Sequence, residues 1–221
     1  MKNLDILYED NSVIIVNKPA GLAVQGGKGV KSSLDKILAE IRTPPPLLVH
    51  RLDKDTSGIL LAAKNREAAA LFSRLFGTER KALKQYIAVC AGSPPKKEGV
   101  ITQEIPVHGS KKKSETKYRV IKSGRLSLFQ EQFNFEFSVF EIELGTGRMH
   151  QIRRHLAMIG NPILGDDKYG DFSLNKKLHK ANGLKQLLLH ASRLTIKDTV
   201  HLDVLSPLPQ RFQMYYSDDT N

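Results

Sequence analysis

The sequence has almost nothing with which to cross-link itself. Cys90 is its only cysteine, so no intrachain disulfide can form and no zinc site built on several thiolates is available. No apolar run approaches the roughly 20 residues that a membrane-spanning helix needs. The N-terminal Met1-Lys2-Asn3-Leu4-Asp5 has no apolar signal core. Acidic residues are also in short supply: 23 stand against 34 lysines and arginines, a formal net charge of +11 over 221 residues. Such an excess points to a polyanionic partner, either nucleic acid or an anionic membrane surface.

Several motifs of enzyme chemistry are missing as well. Gln25-Gly26-Gly27-Lys28-Gly29 is rich in glycine but has neither the Walker pattern nor the G-x-G-x-x-G spacing, so it reads as a mobile basic loop. There is no H-E-x-x-H, and His150 and His155 are five apart, on different helix faces, so they do not make a zinc pair. G-x-S-x-G is absent around Ser57, where residues 55–59 read Asp-Thr-Ser-Gly-Ile.

What is present is 40% hydrophobic residues, enough for a real core. The default expectation is a soluble, cytoplasmic protein. Ile6 to Tyr8, Val13 to Val16, Ile59 to Ala63, Gln85 to Ala91, Val100 to Ile105, Thr116 to Ile121 and Phe133 to Leu144 read as strands. Leu187 to His190 and Leu194 to Ile196 are two further apolar pieces, and Val200 to Leu205 closes the set. Leu34, Ile37, Leu38 and Ile41 share one face of a predicted helix that Pro44-Pro45-Pro46 stops. A second helix over Asn65 to Phe76 has Asn65 as N-cap and Gly77 at its end. Ser110-Lys111-Lys112-Lys113-Ser114 reads as a basic loop and a candidate phosphate contact. Lys168 to Gly183 looks like a basic excursion with little apolar pattern. Strands outnumber helices and do not alternate with them, which predicts an α+β fold with a mixed, largely antiparallel sheet and flanking helices.

Two stretches carry the chemistry. Val49-His50-Arg51-Leu52-Asp53-Lys54-Asp55-Thr56-Ser57-Gly58 is a charged turn that feeds the buried strand Ile59 to Ala63, a good way to hold a carboxylate rigidly at a surface. Asp53 can be a turn residue, a phosphate-handling aspartate with metal, or a lone catalytic aspartate acting on nucleic acid. In the second stretch, Gly145 to Gly160, Met149, Ile152, Leu156 and Ile159 form an apolar helical face, with Arg148, Gln151 and His155 on a polar one. Arg153 lies at the margin of the apolar face, where a partly buried arginine needs a partner. Asp53-Lys54-Asp55, with Gly165-Asp166 and Asp171, echoes haloacid-dehalogenase-type phosphotransferases, but those sit on a parallel α/β domain. A nucleic-acid reading suits the charge better, with Tyr86 offering a ring for a base and Arg148, His150 and Arg154 as candidate phosphate contacts.

Together these segments resemble the RluA-type family of pseudouridine synthases. Asn17-Lys18-Pro19-Ala20-Gly21 resembles its opening motif. His50-Arg51-Leu52-Asp53 through Thr56-Ser57-Gly58 resembles its H-R-L-D-x-x-T-S-G signature. Lys84-Gln85-Tyr86 resembles the strand that bears its tyrosine, and Thr146 to Arg153 resembles T-G-R-x-H-Q-[IL]-R. Pro162 to Asp166 and Leu188 to Ala191 match two further segments.

The resemblance implies a pseudouridine synthase fold with a central catalytic cleft. It implies isomerisation of uridine to pseudouridine in structured RNA without metal or organic cofactor. Asp53 would be the catalytic carboxylate, Arg153 would pair with it, and Tyr86 would stack on the target base. His50, Arg51, Thr56, Arg148, His150 and Gln151 would bind substrate. Ala23 to Gly27 and Asp166 to Asp171 look most like members that modify large-subunit ribosomal RNA, with transfer RNA as the alternative substrate. Those members usually carry an N-terminal RNA-binding domain. Residues 1–221 read as a single catalytic domain without one. A non-catalytic RNA-binding module is the alternative of another class, which the intact Asp53, Tyr86 and Arg153 argue against.

Overall fold

The computed structural model describes residues 4–107, 109–128 and 133–216. The first three residues, read above for a signal segment, lie outside that set. The elements in chain order are β1 (Asp5–Glu9), β2 (Val13–Lys18), α1 (Leu34–Ile41), β3 (Leu47–Leu48), β4 (Ser57–Ala63), α2 (Arg66–Phe76), β5 (Ala82–Ala91), β6 (Glu98–Ile101), β7 (Ile105–Val107), β8 (Ser110–Lys112), β9 (Thr116–Leu128), β10 (Phe133–Leu144), α3 (Gln151–Met158), α4 (Phe172–Asn182), β11 (Leu189–Lys197) and β12 (His201–Leu205), closed by a 3-10 turn over Gln210–Tyr215. Every strand pair whose register is described is antiparallel, and an isolated parallel bridge joins Ala23 to Ser33. The α+β class with a mixed, largely antiparallel sheet is as the sequence predicts. No helix among the described residues is long and apolar enough to cross a membrane.

Two compact units form. The first holds the described residues of 1–84 and 191–207, the second those of 85–190 and 208–221. In the first unit the strands run β1-β2-β4-β11, with β12 on β11 and β3 on β4. Every residue of β4 is buried, as expected of a continuous apolar run. Val13, Ile15, Ile59, Leu61 and Ala63 pack with Phe72 and Leu75 of α2 and with Leu194 and Ile196 of β11. Asn65 caps α2 as predicted, its side chain accepting from Ala68 N, and Gly77 ends the helix.

In the second unit the order is β5-β10-β9-β6, with β7 and β8 as a separate two-stranded hairpin. Four predictions change here or at its edges. The strand expected over Val100 to Ile105 breaks into β6 and β7. The basic loop at Ser110-Lys111-Lys112 is strand β8, paired with β7. The patternless stretch after Lys168 holds the three-turn helix α4, capped by the Asp171 side chain on Leu174 N and ended by Gly183 in the left-handed region. The two apolar pieces around Ser192 are one strand, β11.

Candidate active site

In the first unit the charged stretch is a tight turn, closed by Thr56 N donating to Asp53 O at 3.2 Å. Lys18, at the end of β2, is fully buried. Its Nζ donates to the carbonyls of Pro19, Leu22 and Lys54, each at 2.9 Å, which satisfies all three protons of a desolvated ammonium. Gly21 N donates to the same Lys54 carbonyl at 2.9 Å. The Asn-Lys-Pro-Ala-Gly segment therefore clamps the backbone beside Asp53. Just downstream, Gly58 has φ +108, and a Cβ there would stand 2.2 Å from Ala191 O. Only glycine lets β11 approach so closely. The Asp53 side chain itself is half-buried, at the boundary between protein and solvent.

The other residues expected around Asp53 separate into two groups. Arg51 and Lys54 are exposed. With His50, Val24, Gln25 and Gly26 they help line a cavity of about 490 Å³. Thr56 is 2% exposed, and its backbone closes the turn. His50 accepts from Leu61 N through Nε2 at 2.9 Å and stacks on Phe76 at 4.1 Å between centroids. Burial, and then the nearby Lys84 ammonium, push its pKa down to about 3, so the ring is neutral and Nδ1 carries its proton. His50 thus ties the start of the Asp53 turn to the middle of β4.

In the second unit Arg153 is 2% exposed, as a marginal arginine on a helix face implies. Its guanidinium is gripped by Asp166, Nε to Oδ2 at 2.7 Å and Nη2 to Oδ1 at 2.6 Å, and Nη2 also reaches Asp167 Oδ1 at 2.8 Å. Burial alone would raise the Asp166 pKa. The Arg153 fork and the backbone N–H groups of Tyr169 and Lys168 outweigh it and hold the carboxyl below its usual range. The turn that presents Asp166 depends on Gly165, at φ +75, where a Cβ would meet Gln186 O at 2.2 Å. Sequence reasoning did not pair Asp166 with Arg153. The signal available was a buried arginine in need of a carboxylate and a Gly-Asp pair only 13 residues further on.

α3 starts later than the sequence suggests. His150 takes a left-handed conformation, φ 54, so the helix begins at Gln151. Met149, placed by periodicity on the apolar face, is 54% exposed. Gln151 is 2% exposed, and its amide is fully used: Oε1 accepts from Thr146 Oγ1 and Arg148 N, and Nε2 donates to Glu115 O and Thr116 Oγ1. It holds the Thr146-Gly147-Arg148 loop in place. Arg148 is exposed. His150 Nδ1 lies 3.1 Å from the Tyr169 hydroxyl, and Arg154 Nε donates to that hydroxyl at 3.0 Å. The guanidiniums of Arg153 and Arg154 stand 5.3 and 5.4 Å from the Tyr169 ring centroid. Tyr169 is thus a hub for three cationic or titratable side chains, and sequence reasoning gave it no role. Tyr86, on β5 opposite Ile142 of β10, is 5% exposed.

Two of the four acidic residues that suggested a phosphotransferase, those of the distal motif, are otherwise engaged. Asp166 is held by Arg153, and Asp171 caps α4.

A family model for RNA pseudouridylate synthase matches residues 12–158. The chain belongs to the RNA pseudouridylate synthase family. Ribosomal large subunit pseudouridine synthase C of Rickettsia prowazekii is 37% identical over 203 residues, which cover 88% of this chain and 64% of that protein. The Salmonella typhi protein of the same name is 38% identical over 205 residues, covering 86% of this chain and 60% of its own. The chain thus spans less than two thirds of the length of these relatives. Among solved structures, human RNA pseudouridylate synthase domain containing 1 superposes with a TM-score of 0.75 at 28% identity, over 93% of this chain and 84% of that one. Human RNA pseudouridylate synthase domain containing 4 gives 0.76 at 26%, over 95% and 90%. The pseudouridylate synthase match spans Asp53, Tyr86 and Arg153. Asp166, Tyr169 and α4 lie beyond it.

Proposed function

We propose that the chain isomerises uridine to pseudouridine in RNA, with large-subunit ribosomal RNA as substrate. The observation that carries the proposal is Asp53 on a turn clamped by Lys18 and anchored by His50, inside the matched family segment. The names of the relatives support the choice of RNA. The Asp53 carboxylate attacks or deprotonates the ribose of the target uridine, and the bond from C1′ to N1 of uracil breaks. The freed uracil rotates and rebonds to C1′ through C5. C5 gives up its proton, N1 gains one, and no atom is lost overall, so no oxidant or reductant is needed. The roles implied for Tyr86, stacking on the uracil, and for Arg153, keeping the Asp53 carboxylate ionised, belong to the same proposal. Arg51, Arg148 and His150 contact RNA, whereas Thr56 and Gln151 serve by shaping the two loops. The target base must leave its stack at a cost of about a few kcal/mol, which phosphate contacts from the surplus lysines and arginines offset. Such an enzyme works in the cytoplasm with RNA as its partner.

The test is pseudouridine formation on unmodified large-subunit ribosomal RNA and on unmodified transfer RNA, in the presence of EDTA. The parent forms pseudouridine in the ribosomal transcript, and Asp53→Ala and Asp53→Asn form none. An Asp53→Ala protein that keeps its activity would remove Asp53 from the chemistry. Modification of transfer RNA alone would correct the substrate.

A further inference from the structure

The basic stretch after Lys168 is not explained by the reaction. Between Lys168 and Lys185 the chain carries Lys168, Lys176, Lys177, Lys180 and Lys185 against one carboxylate, Asp171, and that carboxylate is occupied in capping α4. The folded helix sorts these residues. Leu174 and Leu178 are buried beneath it. Phe172, Lys176 and Lys180 follow one another at four-residue spacing, so they form a single row about 12 Å long on one face. All three are exposed, Phe172 to 63%. Phe172 is the most exposed phenylalanine or tyrosine among the large hydrophobics described as exposed, on a helix whose apolar contacts are already made by two leucines. None of Lys168, Lys176, Lys180 and Lys185 has a carboxylate partner among the described residues, whereas Lys177 lies over the Phe133 ring at 4.5 Å.

The helix is also fixed to the site. Asn175, on its first turns, donates through Nδ2 to Asp166 O at 3.0 Å and accepts from Gly165 N at 2.9 Å. Asp166 in turn grips Arg153. The row is therefore rigidly positioned relative to the Asp166 turn, not carried on a free arm.

We propose that the Phe172-Lys176-Lys180 row of α4 is a second RNA-contact surface, on which one unstacked base lies against Phe172 while Lys176 and Lys180 take successive phosphates. Aromatic rings interleaved with lysines recognise single-stranded segments in this way: the ring takes any base by its face and the cations follow the backbone. The occupant is thus an unpaired stretch of the substrate RNA that flanks the target. The inference rests on the RNA-modifying reading above and adds the part of the RNA that α4 would hold.

The experiment uses the whole chain and an unmodified large-subunit ribosomal RNA transcript. Affinity is measured over a range of salt concentrations, alongside pseudouridine formation. Lys176→Gln/Lys180→Gln is expected to lower the slope of log affinity against log salt by about 1.4 to 1.8, at 0.7 to 0.9 per lost phosphate contact. Lys176→Arg/Lys180→Arg keeps the parent slope. Phe172→Ala is expected to lose about tenfold in affinity with the slope unchanged, and Phe172→Trp to keep the parent affinity. All of these variants leave kcat at saturating RNA intact, because none touches the Asp53 turn or Arg153. Parent-like slope in the double variant, or parent-like affinity in Phe172→Ala, overturns the proposal. A parent that binds RNA and shows these changes but forms no pseudouridine would defeat the isomerase reading and leave the α4 surface standing. A parent that binds no RNA overturns both.

Discussion

Lys18 and Lys54 lie 36 positions apart in the chain, yet the buried ammonium of the first donates to the main-chain carbonyl of the second at 2.9 Å. The side chain of Lys54 itself is exposed. The contact makes the Asp53 turn a fixture of β2 rather than a free loop, because Lys18 also binds the carbonyls of Pro19 and Leu22. A buried charge held by backbone dipoles is stable only while every proton is matched.

Replacement of Lys18 by methionine fills a similar volume but leaves the carbonyls of Pro19 and Leu22 without the Lys18 donor, while that of Lys54 keeps Gly21 N. At about 1–3 kcal/mol for each polar group left unsatisfied in the interior, and with some relaxation of the turn, Lys18→Met is expected to lose about 2–4 kcal/mol of stability. Urea unfolding should show a lower midpoint at an unchanged slope. Pseudouridine formation should fall further than stability alone explains, since the turn that carries Asp53 loosens. A variant that unfolds at the parent's midpoint would show that the clamp is ornamental.

Gly58→Ala should be worse. The added methyl would lie 2.2 Å from Ala191 O, and the residue would still have to hold φ +108. The positive φ alone costs roughly 1–2 kcal/mol for an L residue, and the backbone on the other side has no rotamer with which to yield. We expect a loss above about 4 kcal/mol and a chain that is recovered mainly unfolded. Gly27→Ala, where a Cβ would meet nothing within 4 Å, is the matched control and should behave as the parent does.

Why the Asp53 turn and β4 were legible before the structure, and α4 was not, has a physical answer. β4 contains the apolar run Ile59 to Ala63 and is buried on both faces, which needs no phase information to recognise. α4 buries only Leu174 and Leu178 and exposes its one aromatic, so its apolar stripe is too thin for a periodic signal. β11 looked broken because Arg193 interrupts its pattern; in the sheet that arginine points outward and pairs with Asp203 on β12 at 2.7 and 2.6 Å. Gln151 and His155 read as part of a polar face of α3, and both are buried against Glu115, Thr116, Ser114 and Gln103. Those partners lie 35 to 52 positions away, beyond the reach of any local pattern. The same holds for Arg153: its need for a carboxylate could be read from one helix, but the identity of Asp166 required the fold.

Asp166 and Asp167 both bind Arg153 and should respond differently to removal. Asp166 has no exposed side-chain surface, while that of Asp167 is 66% exposed. Asp166→Ala removes the two-pronged grip on a buried guanidinium, for which a loss of about 3–5 kcal/mol is expected. Asp167→Ala removes a solvent-screened contact worth under about 1 kcal/mol. Chemical unfolding of the two variants side by side measures the difference. Equal effects would mean that the bidentate grip of Asp166 is not what holds Arg153.

Two histidines whose pKa burial lowers, His155 and His50, set the acid side of the stability profile. Burial lowers the pKa of His155, with the carbonyl of Gln103 opposing it, and His50 is lowered to about 3 by burial and then by Lys84. A histidine whose folded pKa lies below its unfolded value near 6.5 takes up a proton more readily when the chain is unfolded. Its contribution to stability is therefore complete above pH 6.5 and is lost as the pH falls towards the folded pKa. Within that window each fully buried histidine can add up to about 1.4 kcal/mol per pH unit. His50 is half-buried, so solvent reduces its share. The carboxylates that pairing lowers most, Glu9 by Arg42 and Asp203 by Arg193, both to about 2, protonate in the unfolded chain only near pH 4 and below, and so leave the range from pH 6.5 to 5 to the histidines. Unfolding free energy should thus decline from pH 7 to pH 5. In His155→Gln, whose amide can still donate to Gln103 O and accept from Thr116, that decline should be shallower by up to one proton's worth of slope. An undiminished slope in the variant would assign the acid sensitivity to other groups.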